Sequence, residues 1–177
     1  MIIRENIEKQ ITEYPIFEYA FFDPTELNFH KAVRSICKSE CPQYGKSWSC
    51  PPGVGTLEEC KTRCTGYDNA FIFSTISEVT DILNMDEMLA TRGEHIEIVE
   101  QIKNNVFCGN ENALILTAES CAICETCTYP DAVCRHLDKM YPCIESQTIS
   151  VTDICEKHNL SFLNGYNVVT WFGMILF

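Results

Sequence analysis

The stretch "VVTWFGMILF", residues 168–177, is the longest apolar run in the sequence. At ten residues it is too short to cross a bilayer as a helix, which takes about 20 apolar residues. A run of this length is instead typical of a buried strand. Asn164-Gly165 stands just before it, between two apolar segments, and this dipeptide is a strong signal for a β-hairpin. We therefore predict a soluble protein with a central or near-central strand here, entered through a C-terminal β-hairpin.

The rest of the chain alternates between strand patterns and helix patterns. Short apolar runs predict strands at residues 16–22, 70–76 and 113–118. Helical spacing of apolar residues predicts helices at residues 29–37, 57–63, 86–107 and 151–157. Thr56 and Glu59 have the spacing of a capping box, which supports a helix start at residue 57. We predict a single α/β domain over residues 1–177, with a mixed sheet of about five strands covered by helices and cysteine-rich loops at strand and helix ends.

The charge and the start of the chain limit the classes of partner and compartment. Thirteen Lys and Arg residues stand against 25 Asp and Glu residues, for a formal charge of −12. This charge repels nucleic acid and anionic membranes, so we expect neither as a partner. Charged residues interrupt residues 1–20, which therefore lack an apolar signal segment. We expect a cytoplasmic protein, and in a reducing compartment clustered thiols more often hold metal than form disulfides.

The segment "CAICETCTYPDAVC", residues 121–134, has the pattern C-x2-C-x2-C-x6-C. Structural zinc sites usually combine two close ligands with two more from a distant turn. The run C-x2-C-x2-C-x3-C-P supplies 4Fe-4S ligands in bacterial ferredoxins, and its first two intervals match this segment. The spacing favours a 4Fe-4S cluster. Zinc, with His136 as a possible ligand, and metal-free thiols or disulfides are the alternatives. The candidate ligands are Cys121, Cys124, Cys127 and Cys134.

A second group of cysteines lies in "CKSECPQYGKSWSCPP", residues 37–52, with the pattern C-x3-C-x8-C-P-P. Cys37, Cys41 and Cys50 are one short of a four-ligand set. Cys60, which we include as a candidate metal ligand, or Cys64 could complete it. The alternative for these two is burial as small apolar residues on a helix face. A three-ligand site would instead leave one iron open to water or substrate.

The remaining cysteines and the catalytic motifs give little further indication of function. Cys108, Cys143 and Cys155 have no close thiol neighbour in sequence, and we expect them to be structural. The sequence contains no phosphate-binding glycine loop, no G-x-S-x-G and no H-E-x-x-H motif. No catalytic residue is therefore predicted.

Three segments, "CPQYGKSWSCPP", "CETCTYPDAVCRHLDKMYP" and "NGYNVVTWFGMILF", resemble the DUF2284 family, small microbial proteins labelled as predicted metal-binding. The resemblance extends from about Cys37 to residue 177. Members have serine where this chain has Cys143, which weakens the case for Cys143 as a ligand that the family shares. The resemblance implies no reaction. It implies metal-binding roles for Cys37, Cys41, Cys50, Cys121, Cys124, Cys127 and Cys134.

Three functions are compatible with these patterns. The leading hypothesis is a cytoplasmic iron-sulfur protein of an anaerobe or a strictly reducing cell, which transfers electrons through one or two 4Fe-4S clusters. Its acidic surface would suit docking to a basic patch on a redox partner protein. The second hypothesis is a zinc-binding structural or regulatory module. The third is an enzyme with an open iron, acting on a small molecule or a corrinoid-type cofactor held near Tyr44 and Trp48.

Overall fold

The strand formed by the long apolar run lies in the middle of the sheet, as predicted. The computed structural model describes residues 4–110 and 112–177, and in it β4 (Val168–Leu176) pairs with β2 (Ala70–Glu78) through nine antiparallel residue pairs. The other edge of β4 pairs with the short β3 (Leu114–Leu116). Strand β1 (Glu18–Phe22) pairs with the outer edge of β2. The strand order is β1-β2-β4-β3.

Five α-helices accompany the sheet within the described residues. They are α1 (Arg4–Ile11), α2 (Lys31–Glu40), α3 (Leu57–Cys64), α4 (Met85–Asn105) and α5 (Val151–His158). The predicted capping box starts α3: Thr56 N donates to Glu59 Oε2 at 2.7 Å, and Glu59 N donates to Thr56 Oγ1 at 3.2 Å. None of the described helices combines the length and apolarity that a membrane span requires.

The sheet is buried on both faces, and β2 shows how. Ala70 and Ile72 pack into a cluster with α3 and α5, whereas Phe71 and Phe73 pack into a second cluster with α1 and α4. Successive side chains of a strand point to opposite faces, so a strand covered on both sides is apolar at nearly every position. This burial explains why β2 and β4 are continuous apolar runs rather than alternating ones.

The predicted α/β domain with a helix-covered sheet is confirmed, with four strands in place of about five. All three strand pairings are antiparallel rather than mixed. Strands β2 and β3 run in the same direction, as a helical connection between them favours. They do not pair with each other, because β4 lies between them and is antiparallel to both.

The predicted hairpin at Asn164-Gly165 is wrong, since residues 160–167 contain no strand. In this segment, side chains form hydrogen bonds with backbone N–H and C=O groups that a pair of strands would otherwise use. The Glu18 carboxylate accepts hydrogen bonds from the Ser161 backbone N–H and hydroxyl. The Asn164 amide donates to Ser161 O at 3.2 Å and to Thr170 Oγ1 at 2.9 Å.

The end of β3 positions two later parts of the chain. Thr117 forms an isolated parallel bridge with Cys143. In it Thr117 N donates to Pro142 O at 2.9 Å, and Ile144 N donates to Thr117 O at 3.0 Å. The chain then continues from Thr117 directly to Cys121. The edge of the sheet thus fixes the start of the first cysteine segment and, through the bridge, Cys143.

His95 on α4 makes the stability of the fold depend on pH. Its side chain is 1% exposed, and its Nδ1 lies 2.9 Å from Thr75 Oγ1. Burial lowers its pKa from 6.5 to about 4. Between these values the unfolded chain binds the proton more readily than the folded one, so stability is lost as pH falls from 6.5 toward 4. The loss should reach at most about 3 kcal/mol.

We expect His95→Gln to reduce this pH dependence, as measured by urea unfolding at neutral pH and near pH 4.5. Both proteins carry the same cysteines, so any metal lost in acid affects both and cancels in the comparison. An equal loss of stability in the variant and the wild type would contradict the assignment.

Candidate metal centre

The four cysteines of the first segment line one small cavity. Cys121, Cys124, Cys127 and Cys134 are all partly buried, and residues 47–49 also line this cavity. Burial raises the pKa of the Cys121 thiol, and the other three thiols add to the effect. Metal binding would displace the protons that this environment favours. His136, the alternative zinc ligand, lines the same cavity.

Backbone hydrogen bonds hold the ends of this segment. Cys121 N donates to Ser49 Oγ at 2.9 Å. At the other end, His136 N donates to Cys134 Sγ at 3.4 Å. N–H groups directed at sulfur stabilise thiolate ligands and tune the reduction potential of a bound cluster. The Arg135 guanidinium, at the position where ferredoxins have proline, donates to Thr126 O at 3.1 Å and closes the segment on itself.

Three cysteines of the second segment line another cavity, of about 280 Å³. Cys37 lies in the last turn of α2, Cys41 caps that helix, and Cys50 is buried in the loop that follows. Burial raises the pKa of the Cys37 thiol, with a further contribution from the neighbouring Cys41. The cavity therefore brings together the three thiols that the sequence grouped. Its other lining residues include Cys143, Glu119 and Glu145.

Cys60 and Cys64 are fully buried and do not line this cavity. Cys60 Sγ accepts a hydrogen bond from the Arg34 guanidinium at 3.4 Å and lies 3.7 Å from Val54 O. Cys64 belongs to the core beneath α3, where burial raises its pKa to about 12. A ligand role for Cys60 stays a prediction. Cys143, which we expected to be structural, also lines this cavity, a position that the sequence spacing did not indicate.

The two cysteine segments meet in space. The Ser49 hydroxyl accepts from Cys121 N at 2.9 Å and lies 3.8 Å from Cys50 Sγ. Next to it, Trp48 Nε1 donates to Ala132 O at 3.0 Å, and the indole packs edge-on against Tyr129, with ring centroids 4.9 Å apart. Residues 47–50 therefore form a common wall between the two cavities.

The side chains considered for cofactor binding lie in this wall or near it. The Trp48 indole is engaged by the first segment, as described above. Tyr44 is partly buried in a turn, and its N–H donates to Cys41 O at 3.2 Å. A role for either residue in holding a corrinoid-type cofactor stays a prediction.

The types of donor atom that line the two cavities are those of a metal bound through thiolates. All twelve cysteines are free, and four of them surround one cavity. Iron-sulfur clusters and structural zinc both take this set of ligands. Across residues 4–110 and 112–177, no three His, Cys, Asp or Glu side chains lie close enough together to hold a single metal ion.

Of three comparisons with known proteins, one identifies the family of this chain. Searches of the curated proteins and of the solved structures return no match. The family model described as "Predicted metal-binding protein (DUF2284)" matches residues 20–177, nearly the whole chain. The matched region contains every cysteine of both segments, and the resemblance seen in the three sequence motifs is confirmed. The chain belongs to the DUF2284 family of predicted metal-binding proteins.

Proposed function

We propose that this protein carries electrons to a partner protein through iron-sulfur clusters. One 4Fe-4S cluster would be bound by Cys121, Cys124, Cys127 and Cys134, and a second centre would be built on the thiols of residues 37–50. The observation that carries the proposal is the shared wall. Ser49 contacts Cys121 in one set and Cys50 in the other. Two adjacent centres with a common wall suit the passage of electrons from one to the other.

The surface beside the first centre supports exchange with a partner. Val133 is 78% exposed and Leu137 is 69% exposed, and both line a groove of about 360 Å³ that reaches Cys134. Exposed apolar side chains grouped around a groove are typical of a protein interaction site. The formal charge of −12 would steer a partner that carries a basic patch.

A zinc module is the second candidate, and one observation favours it. His136 lines the same cavity as the four thiols, so three cysteines and one histidine could form a tetrahedral site if they moved closer together than they lie among the described residues. Such a site would stabilise the fold and would have no redox role.

Metal analysis after anaerobic purification separates these functions. We expect about four irons and four sulfides per cluster, hence about eight of each if both sites hold cubanes.

Cys124→Ser should lower the iron and sulfide contents by about half, because it removes a ligand from the first site only. Cys108→Ser is the matched control: Cys108 is exposed and lies in neither cavity, so its replacement should change nothing. Zinc without sulfide in the wild type would favour the zinc module.

Ser49→Ala should lower the reduction potential of the second centre. A hydroxyl directed at sulfur stabilises the more negative, reduced cluster, so its loss favours the oxidised form. Loss of about 1 kcal/mol corresponds to about 40 mV for one electron. The measurement is an anaerobic redox titration followed by electron paramagnetic resonance.

Ser47→Ala is the control for this titration. Ser47 is also buried, and its hydroxyl lies 2.9 Å from Ser49 Oγ. The variant keeps the Ser49 hydroxyl next to Cys50, so we expect a smaller shift. Equal potentials in Ser49→Ala and the wild type would show that the hydroxyl does not act on the cluster.

A further inference from the structure

We propose that Cys143 is the fourth thiol ligand of the second centre, together with Cys37, Cys41 and Cys50. The inference rests on the proposed function in that it assumes a metal at this centre. All four thiols line the same cavity of about 280 Å³. The first three come from α2 and the loop after it, whereas Cys143 comes from a distant segment that is bridged to the end of β3. Ligands that converge from different directions are what a metal centre needs.

The backbone holds Cys143 firmly at this position. Its two neighbours, Pro142 and Ile144, make the bridge to Thr117 described above. The Cys143 carbonyl also accepts hydrogen bonds from Ser146 N at 3.1 Å and from Ser146 Oγ at 2.6 Å. Backbone hydrogen bonds on both sides of a ligand orient it before the metal binds. In metal sites, the residues around the ligands commonly have this role.

The other candidates for the fourth position are less suitable. Cys60 Sγ is held by Arg34 outside the cavity. Glu119 and Glu145 do line the cavity, but iron-sulfur clusters are bound by thiolates, and carboxylates suit harder metals. Cys143 is therefore the residue that supplies the right donor atom in the right cavity.

A fourth thiol changes what the second centre can do. With three thiols, one iron would keep an open position for water or a small molecule. With four, every iron has a protein ligand, so the centre would exchange electrons without binding a substrate. Cys143 thus decides between the electron-transfer and enzyme hypotheses for this site.

The test uses the full chain carrying Cys124→Ser, in which only the second centre should keep a complete ligand set. To this parent we would add Cys143→Ala, or Cys60→Ala as the matched control, since both remove a buried or partly buried thiol. Iron, sulfide and zinc are measured after anaerobic reconstitution, together with the electron paramagnetic resonance of the reduced protein. We expect about four irons in the parent and in the Cys60 control, and three or fewer with Cys143→Ala.

Several results would overturn the inference. These are an unchanged iron content and resonance signal in Cys143→Ala, loss of the cluster in Cys60→Ala alone, or a parent without metal at this centre. Glu145→Gln in the same parent tests the neighbouring carboxylate: retention of the cluster supports Cys143, and loss of the cluster in this variant alone overturns it. Circular dichroism checks the fold, and Cys143→Ser, which keeps nearly the same shape, replaces the alanine variant if that one unfolds.

Failure of the proposed function looks different from failure of this inference. Zinc in the parent, without iron or sulfide, would reject electron transfer through clusters. The zinc contents of the Cys143 and Cys60 variants would still identify the fourth ligand. Loss of zinc with Cys143→Ala but not with Cys60→Ala would support the inference even then.

Discussion

Strands β2 and β4 hold each other along nine antiparallel residue pairs, and helices cover both faces of the pair. Because both strands are buried on two sides, their pairing fixes where every other element lies. Strand β1 takes the free edge of β2, and β3 takes the free edge of β4. Both cysteine segments gather beyond the end of β3. The position of the candidate metal centres therefore follows from the pairing at the middle of the sheet.

Long-range backbone and side-chain contacts then assemble the site from segments that are far apart in the chain. Thr117 brings Cys143 beside the end of β3, and Ser49 connects Cys50 with Cys121. Two arginines secure the surrounding loops: Arg34 donates to Gly55 O and Ser146 O, and Arg63 donates to Val54 O and the Gln147 side chain. In a chain with a formal charge of −12, these cations also offset negative charge near the thiols.

Features coded by neighbouring residues could be predicted from the sequence, and features that depend on distant residues could not. The apolar run of β4, the Thr56 capping box and the short cysteine spacings are local signals, and each predicted its element or grouping. The hairpin prediction failed because Glu18, far away in the chain, binds Ser161. The position of Cys143 in the lining of the second cavity could not be predicted, because its bridge partner Thr117 belongs to another segment. Helix α1 was not predicted, since its buried apolar residues, Ile7 and Ile11, make only one helical repeat.

The contacts between the two cysteine segments have a thermodynamic consequence. Trp48 and Ser49 belong to the second segment, yet they hydrogen-bond to Ala132 and Cys121 of the first. If metals bind at both centres, the metal that binds first would restrict residues 47–50, and the second metal would meet a smaller loss of conformational entropy. This coupling would raise the affinity of the second centre for its metal without being required for its occupancy, because each centre has its own thiols.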